Sequence, residues 1–247
     1  MRQVPEKNKH YSYLIVGNGK LSKHFQNYFS LKNISYKVWT RSSSEAFEKI
    51  GHGADRILVL IKDDEIQNFI ELNQNKLSSE KIWIHCSGML SLSSAESAHP
   101  LMTFTDELYE LKTYESVAFI TEEGRKNFKE LFPQLNNHNY KIETKNKILY
   151  HAFCVLSGNF TTIMWQFFFD FLKSNNIPKE ASYAYLNAVT ENLKKNNNPL
   201  TGPIQRNDRD TINKHLKSLD NHPLKNIYIS FLEAYNKMEK EKTLEIN

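Results

Sequence analysis

Four polar side chains have types suited to proton transfer and to holding a reacting group. His151 and Asn159 stand eight residues apart in an apolar stretch, and on an α-helix they would project within about 80° of each other. Ser87 follows a buried apolar run, and His99 precedes Pro100, which favours an extended conformation. An imidazole suits acid–base catalysis because its ordinary pKa lies near neutral pH. We predict His151 as the acid, and His99 is either a second acid or a hydrogen-bonded core histidine.

A glycine turn offers a site for a nucleotide. Gly17, Asn18, Gly19, Lys20, Leu21 and Ser22 form a G-x-G-x-x-S variant of the dinucleotide fingerprint. The first glycine permits a tight turn, the second lets the backbone approach a pyrophosphate, and the following helix directs its free N–H groups at the anion. Ser22 replaces the third glycine. The turn is therefore either a dinucleotide site or a structural turn, and its position between a strand and a helix favours the site.

The end of the second predicted strand favours one cofactor over another. The chain reads Thr40, Arg41, Ser42 there, without the acidic residue that would bind a ribose 2′-hydroxyl. A guanidinium flanked by hydroxyls suits a 2′-phosphate. We therefore predict NADP rather than NAD, with a solvated surface arginine as the alternative.

The elements that must position these residues follow from the apolar patterns. Strands are predicted at 11–16, 34–40, 56–61 and 81–88, separated by helical patterns, with serines at 42–44 suited to capping the second helix. Such alternation indicates βαβ units and a mostly parallel sheet. Shorter strands within 97–143 complete it, with a helix near 124–136 that ends around Phe132-Pro133. Residues 85–88 then either lie near a bound nicotinamide or form an ordinary strand-end turn.

The pattern changes near residue 145. Residues 147–174 form one apolar stretch that predicts a buried helix, and helical segments follow at 179–195, 208–219 and 222–242. We predict two domains, a Rossmann-type dinucleotide-binding domain at 1–144 and an all-helical substrate and dimerisation domain at 145–247.

Composition excludes several other function classes. The 32 basic and 28 acidic residues give a net charge of +4 spread along the chain, which argues against nucleic-acid binding. The two cysteines, Cys86 and Cys154, have no metal-ligand spacing, so we expect no metal and a reducing compartment. The polar N-terminus and the polar residues within 147–174 argue against a signal peptide and a membrane span. We expect a cytoplasmic protein.

The order of the motifs resembles one group of proteins. The motifs are Gly17-Asn18-Gly19 with Arg41, His85-Cys86-Ser87-Gly88, Ala98-His99-Pro100-Leu101, Tyr150-His151-Ala152 with Ser157 and Asn159, and 200–208, LTGPIQRND. Together they resemble Rossmann-like proteins with a DUF2520-type C-terminal domain, relatives of the F420-dependent type of NADP oxidoreductase and of pyrroline-5-carboxylate reductases. Asn207 departs from the usual glycine, but asparagine also tolerates left-handed backbone angles.

The resemblance implies a helical domain like that of 6-phosphogluconate dehydrogenase relatives, and a homodimer formed through it. The resemblance supplies no substrate. Our first hypothesis is hydride transfer between NADP and a carbonyl or imine carbon of a small acidic substrate. His151 or His99 would transfer the proton, and Asn159 and Ser87 would orient the reacting group. Ser157, Thr201 and Arg206 are assigned to substrate binding, although Arg206 could instead pair with Asp208.

Two alternatives are open: a purely structural protein with a vestigial Rossmann fold that binds no nucleotide, and NADP binding or sensing without turnover. The second is the stronger. It is motivated by Ser22 and by the absence of the Lys-x-x-x-Asn pair that many related dehydrogenases carry on the first long helix. Here His151 occupies the asparagine position after Lys147.

Overall fold

Apolar runs with neighbours on both faces build the central sheet of the protein. The computed structural model describes residues 11–245. Its strands are β1 (Tyr11–Val16), β2 (Tyr36–Trp39), β3 (Ala54–Val59), β4 (Ile82–His85), β5 (Glu96–Pro100), β6 (Phe119–Glu122) and β7 (Asn139–Ile142). They form one seven-stranded sheet in the order β2-β1-β3-β4-β5-β6-β7. β1 to β5 are parallel, β6 runs antiparallel to β5, and β7 is parallel to β6.

Alternating side chains of the strands fill two separate cores, one on each face of the sheet. Tyr13 and Ile15 belong to the core that contains Phe25 and Phe29 of helix α1 (Lys20–Leu31). Leu14 and Val16 belong to the other core, which the helices α2 (Phe47–Gly51) and α3 (Asp63–Asn73) cover. Burial on both faces explains why these strands are almost continuously apolar. The short helices α4 (Leu111–Ser116) and α5 (Phe128–Leu131) complete the layers.

Helices make up the remainder of the described chain. They are α6 (Lys147–Cys154), a π-helical segment (Val155–Phe160), α7 (Thr161–Ser174), α8 (Tyr183–Lys195), α9 (Gly202–Gln205), α10 (Arg209–Ser218) and α11 (Leu224–Glu245). The predicted fold class, a mostly parallel Rossmann-type sheet followed by helices, is confirmed. The chain packs as two compact units, the first ending at Phe167 and the second beginning at Phe168. The domain boundary between residues 144 and 145 that the sequence suggested remains a prediction.

The expectation of a buried helix at 147–174 is wrong for this chain. Within that range only Lys147 and Leu172 are buried, whereas large apolar side chains such as Phe153 (58% exposed) and Phe171 (61%) are open. The continuous helix Thr144–Ser174 is long and apolar enough to cross a membrane, judged by length and composition alone. The apolar pattern indicates a surface that needs cover, but it does not specify that the cover comes from the same chain.

Candidate functional site

The strand register brings the predicted site segments to one edge of the sheet. Trp39, Val16, Val59, His85 and Ser97 are successive partners across β2, β1, β3, β4 and β5. Because these five strands are parallel, the residues that follow each member of the row emerge at the same carboxyl edge. In open α/β sheets this edge is where ligands bind.

Gly17 is required by the turn after β1. Its φ is +106°, and a Cβ there would lie 2.4 Å from the carbonyl oxygen of Leu60. Ser22 is fully buried and donates its hydroxyl to the Gly17 carbonyl at 2.7 Å. The serine that departs from the fingerprint therefore stabilises the turn with a hydrogen bond that a glycine could not make.

The next glycine faces open space. A Cβ on Gly19 would meet no atom within 4 Å, and no side chain caps the N-terminus of α1. The predicted residues Gly17, Asn18, Gly19, Lys20 and Leu21 line a cleft of about 550 Å³ together with the end of β3, Asp63 and Ser87. An open backbone turn before uncapped helical N–H groups fits the pyrophosphate of a dinucleotide.

The three residues predicted to select NADP line a neighbouring cleft. Thr40, Arg41 and Ser42 border a volume of about 640 Å³ with Trp39 and Phe69. Arg41 also borders the first cleft, so the two volumes meet at this side chain. The Arg41 side chain is 79% exposed, and its guanidinium forms an ion pair with Glu65. Glu65 was not predicted from the sequence as a site residue.

The Ser87 hydroxyl is engaged in hydrogen bonds within the protein. Its hydroxyl donates to Asp63 Oδ2 at 2.5 Å and accepts from the backbone N–H groups of Met89 and Leu90 at 3.3 and 3.2 Å. If Ser87 orients a reacting group, as predicted, it does so together with Asp63, which accepts the hydrogen bond from its hydroxyl. Sequence reasoning missed Asp63, since the partners are separated by 24 positions and meet only through the sheet register.

His99 and His151 are brought together over Gly88. A Cβ on Gly88 would lie 2.5 Å from His151 Cδ2 and 3.1 Å from His99 Cδ2. The two imidazole rings are 5.8 Å apart and nearly perpendicular. His99 Nδ1 shares a hydrogen bond of 2.8 Å with the Tyr150 hydroxyl. Gly88 follows Ser87 of the first cleft, so this group adjoins the cleft wall.

Burial determines the charge state of two histidines. Burial lowers the pKa of His99 to about 4, with further lowering by His151 and Lys147. Burial also lowers the pKa of His85 to about 4, and Lys147 adds to the effect. Burial raises the pKa of the Tyr150 hydroxyl. At neutral pH the His99–Tyr150 hydrogen bond therefore joins two uncharged groups.

A buried ion pair holds the start of α6. Lys147 Nζ lies 2.9 Å from Glu122 Oε1, with side-chain exposures of 4% and 2%. Lys147 also donates to Ser97 Oγ at 2.8 Å and to the carbonyl oxygen of Leu90. The second oxygen of Glu122 accepts from Ser91 and Thr144. Lys147 thus anchors the helix that carries Tyr150 and His151 to β5 and β6.

Asn159 and His151 were predicted to project on one side of a single α-helix, and the structure does not have this arrangement. The eight-residue spacing was projected on an α-helix, but Val155–Phe160 is π-helical and changes the angle per residue. Asn159 and Ser157 are both exposed, and neither has a hydrogen bond to His151. Their predicted roles rest on residue type alone.

Thr201 and Arg206 lie in the second compact unit. Both are exposed, Thr201 before α9 and Arg206 after it. No ion pair joins Arg206 to Asp208 within 4.0 Å; Asp208 instead caps α10 by accepting from the N–H and hydroxyl of Thr211 at 3.1 and 2.8 Å. Asn207 has a φ of +51°, which confirms that asparagine adopts the left-handed angle of this turn.

Comparison with known proteins extends these observations. Residues 117–235 match the family described as "Domain of unknown function (DUF2520)". No curated protein matches the sequence. Among solved structures, a provisionally assigned NADP oxidoreductase from Bacteroides fragilis has a TM-score of 0.73 at 17% identity, covering 92% of this chain and 98% of its own.

Two reductases of known ligand share the fold. Pyrroline carboxylate reductase from Plasmodium falciparum, with NADP bound, has a TM-score of 0.57 at 14% identity, covering 94% of this chain and 99% of its own. A reductive aminase from Aspergillus terreus, in complex with NADPH and ethyl levulinate, has a TM-score of 0.59 at 11% identity, covering 94% and 95%. The fold is therefore that of Rossmann-type NADP oxidoreductases, and the resemblance to DUF2520 proteins drawn from the motifs is confirmed over residues 117–235.

Proposed function

We propose that the protein is an NADP-dependent oxidoreductase acting on a carbonyl or imine carbon of a small acidic substrate. The observation that carries the proposal is the arrangement around Gly88, where the imidazoles of His99 and His151 pack on the backbone directly after Ser87 of the cleft. The side chains suited to proton transfer therefore lie at the same carboxyl edge of the sheet as the cleft that would hold the dinucleotide.

The cofactor site would be formed by backbone and by one guanidinium. Gly17, Asn18 and Gly19 would hold the pyrophosphate at the start of α1, where the open space at Gly19 fits it. Arg41, with Thr40 and Ser42, would bind the 2′-phosphate. When bound, the nicotinamide supplies or accepts the hydride.

Proton transfer is assigned to His151, with His99 and Tyr150 beside it. His151 is partly exposed, whereas His99 is buried, uncharged at neutral pH and hydrogen-bonded to Tyr150. The His99–Tyr150 pair would fix the imidazole of His151 by edge contact and limit water access. The Ser87–Asp63 pair would border the reacting carbon, because it closes the same cleft.

The substrate-binding roles of Ser157, Asn159, Thr201 and Arg206 remain part of the proposal. Arg206 is the residue suited to an acidic substituent, since a guanidinium binds a carboxylate in a two-pronged hydrogen bond. The Asp208 carboxylate is engaged with Thr211, and the exposed guanidinium of Arg206 could therefore take that role.

The first test is calorimetric titration with NADPH and NADH on the wild type and on Arg41→Ala. Binding of NADPH that weakens selectively in the variant supports the cofactor assignment, and no binding of either nucleotide refutes the function. A panel of keto acids, aldehydes and cyclic imines then tests turnover. His151→Ala should abolish turnover, whereas His138→Ala, an exposed histidine far from Gly88 in the sequence, should retain it.

Binding without turnover is the second candidate. The observation favouring it is that Lys147 is fully engaged in structural contacts and is not followed by the asparagine of related dehydrogenases. Tight NADPH binding with no oxidation across the whole panel would favour this candidate over the enzyme.

We also propose a cytoplasmic homodimer formed through the helical part of the chain. The exposed apolar side chains of Thr144–Ser174 need cover, and Lys147 ties the start of that helix into the sheet unit. Analytical ultracentrifugation of the wild type and Phe153→Glu tests the dimer, with dissociation expected in the variant. Recovery of the native protein in the membrane fraction of cells would contradict the location.

A further inference from the structure

We infer that Glu65 is a selectivity-determining residue of the nucleotide site, where it competes with a 2′-phosphate for Arg41. The inference rests on the proposed function in assuming a dinucleotide in the two clefts. It adds that the chain carries an acidic group that lowers its own preference for the phosphorylated cofactor.

Both partners are held where the two clefts meet. Arg41 and Glu65 each line both volumes, and Arg41 Nη2 donates to Glu65 Oε2. Arg41 stands in a turn closed by hydrogen bonds between Thr40 and Ser43 at 2.9 and 3.0 Å. Glu65 stands in the first turn of α3, where its N–H donates to the carbonyl of Lys62 at 2.9 Å. The pair therefore joins two fixed backbone segments across the mouth of the site.

The charges make the competition selective. A 2′-phosphate can use the guanidinium in full only if the Glu65 carboxylate leaves it, and it then lies beside that carboxylate with like charge. A dinucleotide without the 2′-phosphate needs no such exchange. Glu65 should therefore weaken NADPH binding and leave NADH binding almost unchanged.

The chain offers a matched control one residue away. Asp64 lies in the same first helical turn and is exposed, but it lines neither cleft and has no ion pair within 4.0 Å to any residue of 11–245. Glu65→Gln and Asp64→Asn remove the same charge from the same helix end. Any effect through the helix dipole or through net charge is shared by both variants, whereas release of Arg41 occurs only in the first.

The experiment is calorimetric titration of NADPH and of NADH into the wild type, Glu65→Gln, Asp64→Asn, Arg41→Ala and the Arg41→Ala/Glu65→Gln double variant. Glu65→Gln should bind NADPH about three- to tenfold more tightly, the range for release of an exposed ion pair plus one like charge. NADH affinity should change by less than about twofold. The gain should shrink at high salt, and in the Arg41→Ala background it should fall to the part that comes from the like charge alone.

The outcomes separate this inference from the function on which it rests. Unchanged or weaker NADPH binding by Glu65→Gln, with the wild type binding NADPH, overturns the inference alone and indicates that Glu65 holds Arg41 ready for the phosphate. An equal gain in Asp64→Asn also overturns it. No binding of either nucleotide to any variant overturns the proposed function as well. Circular dichroism melts verify that each variant is folded.

Discussion

Replacement of Lys147 by methionine tests whether the buried ion pair holds α6 on the sheet. The change keeps an unbranched side chain of similar length but removes the ammonium group. Three contacts disappear with it: those to Glu122, to Ser97 and to the carbonyl of Leu90. Glu122 is left with the hydroxyls of Ser91 and Thr144 in a position where its side chain is 2% exposed.

The magnitude follows from the unpaired carboxylate. Removing one partner of a buried ion pair destabilises a protein by about 3–5 kcal/mol, because the remaining charge stays buried without compensation. In the wild type, burial opposes ionisation of Glu122, but the hydrogen bonds of Ser91, Lys147 and Thr144 outweigh it and lower the pKa. Without the hydrogen bond and the charge of Lys147, we expect burial to outweigh the remaining bonds from Ser91 and Thr144 and to raise the pKa of Glu122 above its unfolded value.

The raised pKa gives the prediction a pH signature. A carboxyl whose folded pKa exceeds its unfolded pKa binds more protons in the folded state, so stability falls as the pH rises through that window. The penalty of Lys147→Met is therefore full at neutral pH and shrinks towards pH 4. The double variant Lys147→Met/Glu122→Gln should regain at least half of the loss at pH 7, because no charge remains buried.

Urea denaturation followed by tryptophan fluorescence measures the effect. All three tryptophans, Trp39, Trp83 and Trp165, lie before Phe168, so the signal reports on the first compact unit. A loss below about 1 kcal/mol at pH 7, or a loss independent of pH between 4 and 7, would refute the assignment of Lys147 as the buried partner of Glu122.

Three further predictions concern other parts of the protein. Gly88→Ala should abolish turnover but leave NADPH affinity within about twofold in calorimetry, because the new methyl group displaces His151, 2.5 Å from the Cβ position, rather than the cofactor turn. Asp208→Ala should lower the stability of α10 by about 1 kcal/mol, measured by amide hydrogen exchange, since it removes the helix cap. In a ¹³C-histidine NMR titration, His85 and His99 should have midpoints near pH 4, as burial lowers both pKa values to about 4. Because these groups bind fewer protons folded than unfolded, stability should decline from about pH 6.5 downwards, and midpoints near 6.5 would contradict the burial.

The strands were predictable because they are buried on both faces. β1 was predicted at 11–16 and occupies Tyr11–Val16, and β3 and β4 lie within two or three residues of their predicted limits. An apolar run between polar turns is a local signal, so no knowledge of distant residues is needed. The helix expected near 124–136 was predicted to end around Phe132-Pro133, and it is Phe128–Leu131. Its end at the proline was therefore predictable, whereas its late start was not.

Caps and helix periods were less predictable. The serines at 42–44 were expected to cap α2, but Ala46 occupies the cap position without a side-chain hydrogen bond. Ser43 instead closes the turn that holds Arg41, with its hydroxyl accepting from the Thr40 N–H at 2.9 Å. The π-helical segment gives no composition signal, so the projection of Asn159 from His151 failed at that step.

The paired groups of the site could not be predicted from one sequence. Ser87 with Asp63, and Lys147 with Glu122, are separated by 24 and 25 residues and meet only because β3, β4, β5 and β6 are neighbours in the sheet. Sequence reasoning identified Ser87 by its position at a strand end and gave no role to the other three. A buried charge carries no local signature when its partner lies on another strand.

The glycines at the carboxyl edge of the sheet are the sequence feature that best marks the candidate site. The chain has only 8 glycines in 247 residues, and three of them follow β1 and β4. Gly17 lets the Leu60 carbonyl approach the turn, and Gly88 lets two imidazoles lie on the backbone beside Ser87. At Gly17 the missing Cβ gives room to backbone of the neighbouring strand end, and at Gly88 it gives room to two side chains suited to proton transfer. A glycine at the carboxyl end of a buried parallel strand, in a chain that otherwise uses few, is therefore a stronger sign of a site than the histidines themselves, whose positions it permits.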